Sequence, residues 1–328
     1  MLTIALAMVA AGCVEGRLRA EFLRPDATLL TSPAMHVVLC GTGTGIADPD
    51  RAGPCTAVVA GGRLFLVDVG PGGWKGADLA GLPLAGLHAV LLTTFLGEDL
   101  SDLGEAMTRS WIAGRGAPLL VYGPQGTADV VEDLVGLYRR DVAMRMAHHD
   151  PAVLRADVAG AVAHEFAIAP NGEATVLDED GLRITAFSVG AVGGVPSVGY
   201  RFDWRGRSIV IGGHGKDVAA LARVAAGADI IVHEAASPPM IERGIATMLE
   251  LGRTRTASFS REMLPAHMSP IEVAGAARDA GAGQLVFSRL YPPPNGAIER
   301  FAFMRGVRAI FPNAIIGEDG MRFRLDPR

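Results

Sequence analysis

The residues of this chain best suited to chemistry lie in a polar turn between an apolar strand and a helix. Thr94, Glu98 and Asp99 follow the predicted strand His88–Leu92, and the helix begins near Asp99. Carboxylate oxygens at such a strand end suit hard divalent cations such as Mg²⁺ or Mn²⁺. The turn holds no histidine or cysteine, the side chains that zinc prefers. The turn therefore offers carboxylates but none of the side chains that zinc prefers.

Two of the eight histidines lie in other motifs that could contribute to such a site. His214 is in the glycine-rich turn Gly212–Gly215, and His267 precedes Ser269 and Pro270. An imidazole can bind a metal or act as a general base. A helix cap is an equally good interpretation of His267, because proline is typical of the first position of a helix.

The composition indicates a large folded core and gives no sign of a nucleic-acid partner. The chain has 328 residues, 49% of them hydrophobic and 20% charged, and its net charge is -5. This length suits one large α/β domain or two smaller ones. A negative net charge offers no general basic surface for phosphates, so a nucleic-acid partner is not expected.

The three cysteines, Cys13, Cys40 and Cys55, form no CxxC pair. This spacing disfavours a cysteine zinc site and a dithiol redox motif. Cys40 ends one predicted strand and Cys55 begins another. We expect two small buried side chains there in preference to a disulfide.

Residues 1–34 are predicted to be an apolar segment and a linker that precede the folded domain. Leu2–Val14 is almost wholly apolar, which is short for a membrane span but suits the core of a signal peptide. Ala10–Cys13 resembles a bacterial lipoprotein cleavage box, although no lysine or arginine precedes the apolar run. We expect export or membrane tethering through Cys13, and the alternative is a cytoplasmic protein.

From residue 35 onward, strands and helices alternate in two similar halves. The first half begins with strands at 35–40, 55–60 and 64–69 and continues with strand–helix units. The second half repeats this order, beginning with a β-rich block over 175–211. Such alternation is typical of α/β proteins. It predicts a four-layer αββα sandwich that forms a single domain over residues 35–328.

Several short motifs occur in an order that resembles the metallo-β-lactamase superfamily, and within it the ribonuclease Z and arylsulfatase-like branch. Each motif is weak by itself, but their order and spacing agree. They are Cys40–Gly43, Leu66–Gly70, Thr93 with Asp102–Gly104, Gly199–Phe202, Val232–Glu234 and His267–Pro270. The resemblance implies a metallohydrolase fold in which histidines and carboxylates at one edge of the sandwich hold the metals.

Most of the metal-ligand positions that this resemblance implies carry other residues. In chain order the positions fall on Thr94, Leu96, Glu98, Asp99, Gly190 or Ala191, His214 and Arg289. Only Glu98, Asp99 and His214 retain a group that can bind a metal. The guanidinium of Arg289 would repel a divalent cation, and it could instead pair with Glu98 or Asp99 in an acidic pocket.

These substitutions predict a pseudoenzyme that has the fold but lacks the dinuclear zinc site and any other cofactor. Its function would be to bind a small molecule or a protein partner, and a homodimer is compatible with this prediction. The remnant cleft would be formed by Thr94, Glu98, Asp99, His214, His267 and Arg289.

Two alternatives keep enzymatic activity. In the first, Glu98, Asp99 and His214 hold one divalent metal (Zn, Mn or Mg) in a rebuilt mononuclear site that hydrolyses an ester or a phosphodiester. In the second, a histidine acts as general base without a metal. That mechanism needs a nucleophile, and the sequence pairs neither Ser188 nor Ser288 with a base.

Overall fold

The structure is a computed structural model that describes residues 25–192 and 194–328, together with Gly16. The described part of the chain forms two sheets of seven strands. The strands of the first sheet are β1 Met35–Gly41, β2 Cys55–Ala60, β3 Arg63–Val67, β4 Leu87–Leu91, β5 Leu119–Pro124, β6 Ala161–Phe166 and β14 Arg322–Leu325. The strands of the second are β7 Glu173–Glu179, β8 Leu182–Val192, β9 Val195–Trp204, β10 Arg207–Ile211, β11 Ile230–Ala236, β12 Gln284–Tyr291 and β13 Ala314–Ile316.

The helices connect the strands and lie mainly on the outer faces of the two sheets. In the first half they are α1 Thr28–Thr31, α2 Gly73–Leu79, α3 Gly97–Leu100, α4 Leu103–Ile112 and α5 Thr127–His148. In the second half they are α6 Val218–Val224, α7 Pro238–Glu250, α8 Thr254–Met263, α9 Pro270–Asp279, α10 Ala297–Phe303 and α11 Val307–Ile310. Single 3₁₀ turns occupy Leu84–Gly86, Ala156–Val158 and Leu264–Ala266.

Each sheet repeats one plan, as the sequence predicts. The strand order is β14-β1-β2-β3-β4-β5-β6 in the first sheet and β13-β12-β11-β10-β9-β8-β7 in the second. In both sheets antiparallel strands, β1 to β3 in the first and β7 to β10 in the second, lead into parallel strands joined by helical connections. Strand β14 crosses to the first sheet and pairs antiparallel with β1, a long-range pairing that the sequence pattern does not predict.

Three apolar clusters fill the three spaces between the four layers. One cluster lies between the sheets and includes Phe65, Tyr200 and Phe202. The other two pack helices against the outer face of each sheet. Strands β1, β2 and β11 are buried along their whole length, which is typical of strands covered on both faces. The predicted four-layer αββα sandwich is therefore confirmed.

The predicted apolar segment Leu2–Val14, with the lipoprotein-like box at Cys13, lies outside the described residues. Within residues 25–192 and 194–328, no helix is both long enough and apolar enough to cross a membrane.

Cys40 and Cys55 are joined in a disulfide, so the prediction of two free buried cysteines is wrong. Cys55 begins β2 opposite Gly41, where the register of the β1–β2 pair shifts. This pairing brings the two Cα atoms to 5.0 Å, within the range that a disulfide needs. The sequence placed the cysteines on separate strands but did not fix the register that opposes them.

We expect reduction of the Cys40–Cys55 disulfide to lower the free energy of unfolding by about 3 kcal/mol, because the bond closes a loop of about 15 residues in the unfolded chain. Urea unfolding with and without dithiothreitol measures the difference. The double variant Cys40→Ala/Cys55→Ala is the control and should not respond to the reductant. Equal stability of the parent protein under both conditions would contradict the disulfide.

Candidate functional site

The candidate site lies at the edge where parallel strands of the two sheets end, the usual location of sites in open α/β sheets. Thr93 and Thr94 follow β4, and His214 lies in the turn after β10. The two sheets are joined at this edge by hydrogen bonds. The amide of Val198 donates a hydrogen bond to the carbonyl oxygen of Thr93 at 3.0 Å. The hydroxyl of Tyr200 donates one to the carbonyl oxygen of Leu92 at 2.6 Å.

A β-bulge turns Arg289 out of the regular pairing of β12. The register with β11 shifts between Glu234 and Ala235, and Arg289 has a φ of 45°. This left-handed conformation is costly for a residue other than glycine, and it is typical of functional or otherwise constrained positions. The bulge places the guanidinium of Arg289, which is only 9% exposed, between the sheets.

The guanidinium of Arg289 forms ion pairs with two fully buried carboxylates. It contacts Asp68 Oδ2 through Nη2 and Asp99 Oδ1 through Nη1, the latter at 2.9 Å. Nη2 also donates to Thr93 Oγ1 at 3.2 Å. The sequence suggested Glu98 or Asp99 as the partner of this arginine. The structure pairs Arg289 with Asp99 and adds Asp68.

The two carboxylates also hold the polar turn after β4. Asp68 accepts hydrogen bonds from the amide and the hydroxyl of Thr93, both at 2.8 Å. Asp99 accepts one from the hydroxyl of Thr94 at 2.5 Å. The turn is therefore fixed by the same acids that neutralise Arg289.

Burial has opposite effects on the acid and the base of this cluster. It raises the pKa of Asp99 to about 7, and the hydrogen bond from Thr94 opposes that rise. Burial lowers the pKa of Arg289 to about 9. The guanidinium therefore remains charged at neutral pH, and its positive charge stabilises the adjacent carboxylates.

A second cluster, formed by His214, Glu234 and His267, lies beside the first. Nδ1 of His214 is 3.2 Å from Glu234 Oε2, and Nδ1 of His267 is 3.2 Å from Glu234 Oε1. The two imidazole rings meet edge to face, with centroids 4.3 Å apart. Each of the three side chains offers one ligand atom, and these atoms all lie within 4.8 Å of one another.

Glycines allow the turn that carries His214 to approach its neighbours. A Cβ atom on Gly212 would lie 2.0 Å from the ring of His233, and one on Gly213 would lie 2.0 Å from the carbonyl oxygen of Val198. The carbonyl oxygen of His214 accepts a hydrogen bond from Ser197 Oγ at 2.5 Å. The position of the His214 imidazole is therefore set by backbone packing and by Glu234.

The electrostatics of the second cluster favour a cation. Burial alone lowers the pKa of His214, but the charge of Glu234 and its hydrogen bond outweigh burial and raise that pKa to about 9. Burial also acts to raise the pKa of Glu234, and the two histidines reverse this effect and hold it well below its usual range. The buried Glu234 thus stays ionised and draws positive charge to its neighbours.

The structure places four of the six predicted cleft residues around one small cavity. The cavity has a volume of about 60 Å³ and is bordered by Glu98, His214, His267 and Arg289, together with Glu234. Thr94 and Asp99 are not in its lining. They belong to the buried Arg289 cluster behind it. Glu98 is not part of the group of ligand atoms around His214.

Sequence reasoning did not select Glu234 as a site residue, although the motif Val232–Glu234 is one of the landmarks of the resemblance. A buried acid at the end of an apolar strand is a usable signal, because such a residue needs a charged partner.

The structure gives no support to the alternative of a hydrolase that works without a metal. Among the described residues, neither Ser188 nor Ser288 forms a hydrogen bond with His214 or His267, so no serine nucleophile is paired with a histidine base.

Comparison with solved structures defines the class of protein. The metallo-β-lactamase fold protein YhfI from Bacillus subtilis superposes with a TM-score of 0.60 at 17% identity, over 88% of this chain and 99% of that one. Human tRNase Z, short form, superposes with a TM-score of 0.63 at 18% identity, over 88% of this chain and 98% of that one. At these identities the similarity shows the fold alone, and the fold is that of the metallo-β-lactamases.

Sequence relatives define the family within that class. A ribonuclease Z of Mycobacterium tuberculosis is 33% identical over 298 residues, covering 90% of this chain and 99% of the relative. The ribonuclease Z of Mycobacterium marinum is 36% identical over 261 residues, covering 79% of this chain and 87% of the relative. The chain belongs to the ribonuclease Z family. No protein-family model matches the sequence.

The comparisons overturn two predictions made from the sequence. The pseudoenzyme interpretation is wrong, because relatives that match most of the chain are named ribonuclease Z. The prediction that no metal is bound is also wrong, because the structure gathers a possible metal site of His214, Glu234 and His267. The expectation that nucleic acid is not a partner conflicts with the same names, since net charge describes the whole chain and not the surface around a site.

We expect Arg289→Met to lower the free energy of unfolding by about 3–5 kcal/mol, because it leaves buried carboxylates without their counter-charge. The matched control is Arg300→Met. Arg300 pairs with Glu318 at the surface, and loss of such a pair costs about 0–1 kcal/mol. Denaturant unfolding at pH 7 compares the two. Equal losses would show that the buried ion pairs are not required for stability.

Proposed function

We propose that this chain is a metal-dependent hydrolase that cleaves phosphodiester bonds of RNA at a mononuclear site. The observation that carries the proposal is the cluster of His214, Glu234 and His267, whose ligand atoms lie within 4.8 Å of one another. Among the described residues it is the one group of three or more such side chains. The phosphodiester substrate follows from the family, since the relatives are named as ribonucleases.

The donor set suits a transition metal. Two imidazoles and one carboxylate form a common ligand set for zinc and related divalent ions. Nε2 of His267 is buried and has no hydrogen-bond partner among the described residues. A buried polar atom of this kind is costly unless a ligand satisfies it. A divalent cation held there would supply a Lewis acid and a water molecule of lowered pKa.

The protein's own residues provide orientation and enclosure. Glu234 contacts Nδ1 of both histidines, which holds the two rings beside its carboxylate. Arg289 is already neutralised by Asp68 and Asp99, so it forms a wall of the cavity and does not compete for Glu234.

The metal site is tested by metal content. Chelator-treated parent protein dialysed against zinc or manganese should retain close to one equivalent, whereas His214→Ala and His267→Ala should retain less than about a tenth, because tight sites survive such handling. Glu98→Gln is the matched control and should keep the metal. Loss of metal in Glu98→Gln with full retention in His267→Ala would instead support the ligand set Glu98, Asp99 and His214.

Activity is tested on a labelled single-stranded RNA. The metal-loaded parent should cleave the RNA, a chelator should stop the cleavage, and His214→Ala should lower kcat/KM by about 100-fold or more. His149→Ala, which alters an exposed histidine immediately after the end of α5, should leave the rate unchanged. A parallel assay with a carboxylic ester distinguishes the two substrate classes. Cleavage of the ester but not of RNA would contradict the proposal that the substrate is a phosphodiester.

A further inference from the structure

The mouth of the His–Glu–His cavity carries an exposed aromatic side chain on α8. Arg255, Phe259 and Met263 are spaced four residues apart, so they share one face of this helix. Phe259 is 60% exposed and lines the cavity together with Met263. A single exposed apolar residue is ordinary on a protein surface. The position of Phe259, at the entrance to a cluster of ionisable groups, is what calls for an explanation.

The opposite face of α8 anchors the helix beside the site. Ala257 and Ser260 are buried, and Ala257 packs in a cluster with Ile241 and Ile245 of α7. The hydroxyls of Ser260 and Tyr291 are 3.1 Å apart. Because Tyr291 also lines the cavity, Phe259 is presented on a helix that is tied to the wall of the site.

A second exposed apolar side chain borders the same cavity. Ile46 is 53% exposed and belongs to the loop after β1, whereas Phe259 is on a helix of the other half of the chain. Both line the opening above His214 and His267. A flat apolar group can therefore contact the ring of Phe259 while a polar group attached to it reaches the histidines.

The charge on α8 indicates that such a group is attached to an anion. Arg255 and Arg261 of α8, and Arg253 immediately before it, are exposed and form no ion pair among the described residues, and Glu262 is the one acid between residues 253 and 263. The helix start also favours negative charge. Together, an exposed ring and unpaired guanidiniums are the features with which proteins bind single-stranded nucleic acid.

We propose that the α8 stripe of Arg255, Phe259 and Met263 is a platform on which one unpaired base of a single-stranded RNA stacks, so that an adjoining phosphodiester reaches the His–Glu–His cavity. The inference rests on the proposed function, because it names how that substrate is positioned. A base within a duplex cannot stack on Phe259, so the platform selects unpaired RNA.

The test is binding of a fluorescein-labelled single-stranded hexaadenylate to metal-free protein, followed by anisotropy. Phe259→Leu keeps an apolar side chain but removes the ring, and it should weaken binding about tenfold, since stacking on an aromatic ring contributes substantially for each base. Phe259→Trp should bind within about twofold of the parent, because it retains an aromatic face. Its indole fluorescence should be quenched by the RNA. A blunt-ended RNA duplex that is long enough to stay paired at the assay temperature should compete much less well than the single strand.

Phe301→Leu is the matched control. Phe301 is 77% exposed on α10 and borders a different surface hollow, so its replacement should leave the affinity unchanged. The proposal is overturned by any of three results: equal binding by Phe259→Leu and the parent, an equal loss in Phe301→Leu, or no binding of the oligonucleotide by the parent.

The two proposals fail separately. If binding depends on Phe259 but the metal-loaded protein cleaves no RNA, the stacking platform is supported and the proposed hydrolase function is contradicted. If Phe259→Leu leaves the affinity and KM unchanged while metal-dependent cleavage is observed, the hydrolase function is supported and the platform is contradicted.

Discussion

The rest of the site depends on the buried guanidinium of Arg289. This side chain comes from the second sheet, and its partners Asp68 and Asp99 come from the first half of the chain. Asp68 in turn holds Thr93, whose carbonyl oxygen accepts a hydrogen bond from the second sheet. A buried ion pair usually adds little net stability, because desolvation offsets the attraction. Its main effect here is to fix how the two sheets meet.

The arrangement divides the polar interior into two neighbouring parts. In the closed part, Arg289 forms ion pairs with Asp68 and Asp99, and each carboxylate also accepts a hydrogen bond from a threonine hydroxyl. In the open part, Glu234 faces two histidines that border a cavity. A cation is repelled from the first part by Arg289 and attracted to the second by Glu234. The charge distribution therefore selects where a metal can be held.

Much of the fold was predictable because it is encoded in short stretches of sequence. Alternating strand and helix patterns gave the two halves and the four layers, and glycines marked the turn that carries His214. An ion pair of Arg289 with Glu98 or Asp99 was also predicted, because an acidic pocket needs a counter-charge, and the structure forms the pair with Asp99. The disulfide and the role of Glu234 were missed, because each depends on which residues of separate strands lie opposite one another.

The sequence by itself determined the fold class, the family resemblance and the loss of donor atoms at positions such as Leu96. These are properties of local pattern and residue type, and they require no knowledge of distances. Only the tertiary structure decided that His214, Glu234 and His267 share one cluster and that Arg289 is enclosed by Asp68 and Asp99. The physical reason is separation along the chain: Asp68 and Arg289 are 221 residues apart, and the packing of two sheets, not any local preference, brings such residues together.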